Sequence, residues 1–396
     1  MSQSLLTVYF YPAWYPHRND PMFGLFVQRH AEAVAQILNV GVVFALGENR
    51  KQGPVYELVA TSEKGVKTVR IYFKKSKLPL FKSLINGYRY LNAVRKGYIY
   101  LNALMGLPEV NHVHVLTRAG IFPLILNSIR GVPYLITEHW SRYLPRNKGD
   151  YKGFLRKYLT RVIVKRATSV STVSRRLAEA MQAHGLKNSN YTLVNNVVDT
   201  SLFTFGPKGK QCLKWVHVSC FDDKPKNISG LLRAFADAHK QNPLLTLTLI
   251  GVGIDFGNLQ KLAYGLTGNS DCIRFTGLLQ GKAIADELRK HDGFVMFSRY
   301  ENQPVVIAEA FACGLPVVAT AVGAIPEMLE NGRGTTVESE NERQLTQTLL
   351  DYAAGKVPFS REDIRKYAEE NHSMEAVGNR FFELYLAALQ HNTPDS

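Results

Sequence analysis

The chain has 396 residues, longer than a single hydrophobic core usually grows, and carries a formal charge of +15 from 48 Lys plus Arg against 33 Asp plus Glu. No stretch approaches the roughly 18 uncharged residues that a membrane span needs, and the first apolar run, 5–11, has no basic residue before it, so neither an integral protein nor one secreted through a leader is expected. The four cysteines, Cys212, Cys220, Cys272 and Cys313, stand far apart without paired spacing, which points to neither a zinc site nor a disulfide framework and fits a reducing cytoplasm.

The charge is uneven. Residues 1–200 hold 28 Lys plus Arg and 10 Asp plus Glu, a balance of +18, while the remainder holds 20 and 23, a balance of −3. The basic first half would attract nucleic acid, anionic lipid or an anionic substrate, and charge alone does not choose among them.

In chain order, 5–11 reads as a buried strand, followed by a loop rich in Pro and aromatics over 12–23 and a helix over about 25–38. Gly24 sits where loop becomes helix; it reads either as a plain turn glycine or as a place where backbone comes close to a phosphate. Strands follow at 40–46, 69–73, 112–116, 132–137 and 168–174, separated by helical patterns, and make a doubly wound parallel half. Within it, 82–101 patterns as a basic amphipathic helix: Lys82, Arg89 and Lys96 recur every seven residues, and Leu84, Tyr88, Leu91, Tyr98 and Ile99 gather opposite, with only Arg95 intruding. That pattern fits a core helix with a solvated outer face and equally a helix adsorbed on a bilayer, the second helped by Lys74, Lys75 and Lys77 upstream.

After the strand ending at Thr137 comes Glu138-His139-Trp140-Ser141, at the C-terminal sheet edge where open α/β sheets bind ligands. Further on stand Asn195, Asn196 and Asp199, then a linker at 205–210 with two Gly and a Pro. A second parallel set follows at 214–219, 246–251, 273–277 and 293–297. Gly251 and Gly253 lack a full dinucleotide fingerprint and read as a tight strand-to-helix turn. Helices over 361–371 and 373–390 close the chain.

The stretch 297–329 carries the most chemistry. Glu301 and Glu309 stand with seven residues between them, and Pro304 favours the first turn of a helix, which is expected to begin near Gln303. The unpaired N–H groups of that turn suit an anion such as phosphate, while the carboxylates must grip something else. Eight residues of helix span roughly 12 Å, about the separation of two hydroxylated groups on either side of a diphosphate, the shape of a nucleoside diphosphate sugar. With the apolar strands on both flanks, the Gly-Leu-Pro-Val-Val segment at 314–318 and the turn at 322–324, this stretch resembles the donor site of the retaining family 4 glycosyltransferases.

The resemblance covers nearly the whole chain, most strongly 291–330. It implies an α/β GT-B type architecture: two doubly wound parallel-sheet (Rossmann-like) domains facing a central cleft, an acceptor-side domain over 1–204, a donor domain over 211–372, and a final helix over 373–390 packing back on the first. Carried over residue by residue, it makes Glu301 a partner of donor-sugar hydroxyls and Glu309 of the ribose diol, with Asn302, Gln303, Pro304 and Val305 around the phosphates. It places Gly24 near a phosphate, His139 near the reaction centre and Asn196 in the segment that closes the first domain, although Val197 replaces the family's glycine. The family's Gly-Arg-Leu turn is absent at Ser219-Cys220-Phe221, so its arginine is missing; Lys226 matches the family's lysine, and Lys224 is a substitute.

The expected activity is retaining transfer of a sugar from a nucleoside diphosphate donor to an acceptor hydroxyl in cell-surface glycan biosynthesis. No Asp-x-Asp pair follows an apolar strand, so no metal and no cofactor beyond the donor is expected. Expected partners are the donor, a glycan or lipid-linked acceptor and an anionic membrane surface, without nucleic acid, and the expected location is cytoplasmic and peripheral to the inner membrane face. The rival readings are a sugar-nucleotide epimerase of similar architecture and a basic nucleic-acid-binding protein.

Overall fold

A computed structural model describes residues 5–116, 118–144, 151–205, 211–268 and 271–390. The chain divides into two compact units, Met1–Val197 with Met374–Ser396, and Val198–Ser373. The change of unit comes at Val197/Val198, ahead of the glycine-rich segment; of that proposed linker, 206–210 lies outside the described residues.

The strands of the first unit are β1 (Thr7–Pro12), β2 (Asn39–Glu48), β3 (Tyr56–Glu63), β4 (Val66–Lys74), β5 (Val110–His114), β6 (Tyr134–Glu138), β7 (Ser169–Thr172) and β8 (Tyr191–Leu193), in the sheet order β3-β4-β2-β1-β5-β6-β7-β8. All pairs are parallel except β3 with β4. The sequence reading missed both edge strands, β3 and β8: β3 leaves most of its residues at the surface and β8 is three residues long with none buried, so neither has the buried apolar run that marks the others.

Strand alternation sends Val8 and Phe10 to one face, where α1 (Leu25–Val34) and the last helix, α14 (Met374–Gln390), cover them. Tyr9 and Tyr11 point to the other face, under α2 (Lys82–Met105) and α3 (Ile121–Arg130), with α4 (Phe154–Arg166) beyond α3. A further helix, α5 (Arg175–Ala183), is capped by the Ser174 hydroxyl, which accepts from Leu177 N–H. The first helix stops at Val34 rather than near residue 38, where the chain tightens into turns closed by Ile37 and Leu38 N–H on the Val34 carbonyl.

The expected faces of α2 need correction. Leu84, Tyr88 and Ile99, read as its buried side, are exposed, and the buried side is Tyr90, Ala93, Val94, Gly97, Tyr98 and Leu101. Small residues decide this: a Cβ at Gly97 would come within 2.6 Å of Ile71 Cδ1 and 2.7 Å of Val43 Cγ1, so the helix closes on the sheet along its Ala-Gly edge.

In the second unit the strands are β9 (Lys214–Val218), β10 (Thr246–Ile250), β11 (Ile273–Gly277), β12 (Gly293–Met296), β13 (Val317–Thr320) and β14 (Gly334–Val337), all parallel in the order β11-β10-β9-β12-β13-β14. The connecting helices are α6 (Asp223–Lys226), α7 (Ile228–Gln241), α8 (Phe256–Thr267), α9 (Lys282–Leu288), α10 (Val305–Ala312), α11 (Ile325–Leu329), α12 (Glu342–Ala353) and α13 (Arg361–His372). Two apolar clusters, one on each face of the sheet, sandwich it. Gly251 and Gly253 do form a tight turn after β10: a Cβ at Gly251 would lie 1.9 Å from the Ser219 carbonyl oxygen, and one at Gly253 2.4 Å from that of Phe221.

Candidate active site

In the second unit the carboxylate segment leaves β12 at its C-terminal edge, and Pro304 is the N-cap of α10 rather than a residue of its first turn, so the helix begins at Val305 instead of near Gln303. Pro304 has ψ 118, which takes the residues before it out of helical geometry. Glu301, Gln303 and Glu309 are all buried, Asn302 and Val305 half-buried. The next strand-to-helix turn props this segment: Ala324 N–H donates to the Asn302 carbonyl at 2.8 Å, and a Cβ on Gly323, at φ 58, would fall 2.2 Å from the Glu301 carbonyl oxygen.

Lys226 Nζ donates to Glu301 Oε1 at 2.6 Å, and the pair is largely shielded, at 19% and 9% side-chain exposure. Several bonds fasten the short helix that brings the lysine there. Asp222 caps it by accepting from Lys224 N–H, and Asp223 accepts from both Ser229 N–H and Ser229 Oγ at 2.7 Å. Arg299 locks that turn to the carboxylate segment: its N–H donates to the Pro225 carbonyl, and its Nη1 to the carbonyls of Asp223 and Lys224. Lys224, the alternative lysine, is exposed. Behind Lys226 lies buried His217, whose pKa is lowered to about 4 by burial, with the nearby Lys226 charge acting in the same direction.

In the first unit His139 follows β6 and is buried against Phe26, with ring centroids 4.6 Å apart. Its Nε2 lies 3.4 Å from His114 Nδ1, and it hydrogen-bonds the Asn196 side chain, so the structure brings these two expected site residues together. Glu138, fully buried, accepts from the N–H groups of Leu116, His139 and Trp140 at 2.8–2.9 Å and so pins the turn that carries His139. Burial raises the pKa of Glu138, opposed by Arg142 and those three N–H groups. Its bond to Leu116 also spans Val115, a β-branched residue held at φ 63. That conformation is rare for such a side chain, and strain of this kind gathers at functional sites.

His30, His114 and His139 form a cluster whose ring nitrogens lie within 4.8 Å of one another, the group among the described residues with the proximity a metal ion would need. His30 Nε2 is 3.0 Å from the Asn195 carbonyl, while His30 Nδ1 and His114 Nε2 are buried without a hydrogen-bond partner among the described residues. Phe10 stacks on His114 at 4.7 Å and Phe381 meets His30 edge-on at 5.1 Å. Burial is the main cause that holds all three imidazoles, with His112 beside them, well below the ordinary histidine pKa and therefore neutral. Sequence reasoning found His139 but passed over His30 and His114. The His112-Val113-His114 alternation on one strand face was a legible signal, whereas nothing local marked His30 as its neighbour.

Gly24 is the N-cap of α1 at φ 69, and a Cβ there would lie 2.4 Å from the Trp14 carbonyl carbon. The loop therefore requires glycine whether or not a phosphate comes near. Gly24→Ala is expected to destabilise the protein by roughly 1–3 kcal/mol, read as a lower urea midpoint; an unchanged midpoint would mean that the loop relaxes freely.

Both units resemble known proteins. The family model "Glycosyltransferase Family 4" matches residues 42–202, and "Glycosyl transferases group 1" matches 213–354. The chain is 24% identical over 264 residues to an uncharacterized glycosyltransferase of Methanocaldococcus jannaschii, covering 66% of this chain and 69% of that one. It is 25% identical over 268 residues to a phosphatidyl-myo-inositol mannosyltransferase of Mycolicibacterium smegmatis, covering 65% and 67%. With several other curated relatives the match spans less than half of the relative's length. Among solved structures, an Anabaena protein in complex with UDP and glucose superposes with a TM-score of 0.66 at 17% identity, over 96% of this chain and 98% of that one.

Proposed function

From the premise that this chain belongs to the glycosyltransferases, with a family 4 domain followed by a group 1 domain in the GT-B type fold, we propose that it moves a sugar from a nucleoside diphosphate donor to an acceptor hydroxyl with retention of configuration. The observation that carries this reading is the convergence in one unit of Glu301, Lys226 and the N-terminus of α10, with Glu309 one turn further along. Glu309 would accept from the ribose diol, the first-turn N–H groups of α10 would hold the diphosphate, and Glu301 would position the sugar hydroxyls. As the glycosidic bond breaks, the leaving phosphate gains charge, and Lys226 with the helix N–H groups stabilises it without requiring a metal. Among the described residues of the first unit no carboxylate nucleophile is identified, and attack on the same face, assisted by the departing phosphate, is the proposed course.

In the first unit, Gly24, His139 and Asn196 are proposed as site residues for the same transfer reaction. His139, kept neutral by burial, would act as a hydrogen-bonding group and not as a cation. The acceptor is proposed to be a glycan or lipid-linked sugar at the cytoplasmic face of a membrane. This reading is supported by the basic first half and by a relative named for transfer to phosphatidyl-myo-inositol. No helix of the described residues is long and apolar enough to cross a membrane, so attachment there would be peripheral, and nucleic acid is not a proposed partner. Release of free nucleoside diphosphate only when acceptor is present separates this reading from an epimerase.

The test is donor affinity. Titration calorimetry with UDP-, GDP- and ADP-sugars should identify one base, and Glu309→Gln should weaken that donor roughly ten- to a hundredfold, the worth of hydrogen bonds to an ionised acceptor. Unchanged affinity and turnover in the variant would overturn the site.

A further inference from the structure

The helices α2, α3 and α4 lie side by side on one face of the first unit's sheet, and their composition is one-sided. They hold four Lys and Arg on α2, one on α3 and five on α4, and no Asp or Glu. The layer on the opposite face carries both signs, with Glu32 in α1 and Glu375 and Glu383 in α14.

The cationic layer also presents large apolar side chains to solvent. Leu84 and Tyr88 on α2 are 73% and 70% exposed, Ile129 on α3 75%, and Phe154, Leu155 and Tyr158 on α4 88%, 75% and 60%. On α4 these groups are ordered along one face. Thr160, Ile163 and Val164 bury the inner side, while the first two turns expose Phe154, Leu155 and Tyr158 beside Arg156, and the last two carry exposed Arg161, Lys165 and Arg166. Scattered apolar residues are ordinary on a surface, but large ones exposed on each of three adjacent helices within a field of uncompensated cations are not.

We propose that the outer surface of the α2-α3-α4 layer docks on an anionic lipid bilayer, with Phe154, Leu155 and Tyr158 entering the interface and the α4 cations meeting lipid phosphates. This deepens the proposed function by giving the membrane-borne acceptor's surface a definite contact. Charge complementarity selects an anionic partner, and the exposed apolar groups select a bilayer over nucleic acid, because exposed Leu and Ile gain nothing from phosphates or base edges but do gain from acyl chains. With no spanning helix in the layer, the attachment is reversible.

The experiment is flotation of the full chain with phosphatidylcholine vesicles, with and without phosphatidylglycerol. Wild type is expected to bind the anionic vesicles at least tenfold more tightly than the neutral ones and to be released as salt rises. Phe154→Ser/Leu155→Ser and Arg161→Glu/Lys165→Glu should each weaken binding about tenfold or more, while Leu386→Ser, on the opposite face, should bind as wild type does. Circular dichroism melts establish that all variants are folded. Absence of flotation, equal binding to neutral vesicles, unchanged binding in both α4 variants, or retention on nucleic acid instead of vesicles overturns the docking face. Donor titration on the same preparation keeps the two ideas apart: donor bound without vesicles bound overturns the docking face alone, and vesicles bound without donor bound overturns the transfer reading alone.

Discussion

Lys226→Ala is expected to lower kcat by about two to three orders of magnitude while changing donor affinity far less, because the charge it meets grows only as the glycosidic bond breaks. Its partner in the structure is Glu301, 2.6 Å away and nine-tenths shielded. Truncating the lysine therefore also leaves a carboxylate poorly solvated, at a cost of about 1–3 kcal/mol. The double variant Lys226→Ala/Glu301→Gln separates the two effects: it should regain most of the lost thermal stability and none of the turnover. Steady-state kinetics with urea melts on the three proteins provide the check. If Lys226→Ala keeps its turnover while Lys224→Ala loses it, the role passes to the exposed lysine and the Arg299-locked turn has been misread.

The second unit was the more legible in sequence, for a physical reason. Its strands are short apolar runs punctuated by glycines at steric choke points, and the segment from Glu301 to Gly323 packs on itself: the Ala324–Asn302 hydrogen bond and the Gly323 approach to Glu301 link residues within one supersecondary unit. Local sequence can encode that. What brings Lys226 to Glu301 is a set of bonds from Arg299 across more than seventy residues, and no spacing rule contains it. In the first unit the strands were read correctly in the middle of the sheet, and β3 and β8 were missed at its two edges. On α2 the large apolar residues misled, since the tight approach at Gly97 sets the buried side and leaves Leu84 and Tyr88 outside. An amphipathic pattern fixes a helix's two faces only when large residues make the core contact; here small ones do.

Acidification from pH 7 to pH 5 is expected to unfold the first unit well before the second. The folded-state pKa of His30 is lowered to about 4, and those of His112, His114 and His139 are pushed well below the ordinary value, in each case chiefly by burial. An unfolded chain protonates these imidazoles near pH 6.5 and the native unit does not. The stability they contribute is thus fully present above that pH and is lost as pH falls from there toward the folded values. For His30 the loss approaches about 2 kcal/mol by pH 5, and its three neighbours act in the same direction. Two other titratable groups lie close by. Tyr385 of α14, hydrogen-bonded to His112, has its pKa raised and stays neutral throughout the window. Glu138 has its pKa raised by burial, so it takes up a proton more readily folded than unfolded and offsets part of the loss. In the second unit burial lowers the pKa of His217 in the same way, but among the described residues no imidazole cluster like that of the first unit is found there, so it should hold longer. Hydrogen exchange followed separately over β1, β5 and β6 and over β9, β10 and β12 reads the two units in one sample. Equal loss of protection in both, or none in either down to pH 5, would show that the imidazole cluster takes up protons while folded, and that its burial does not hold it neutral.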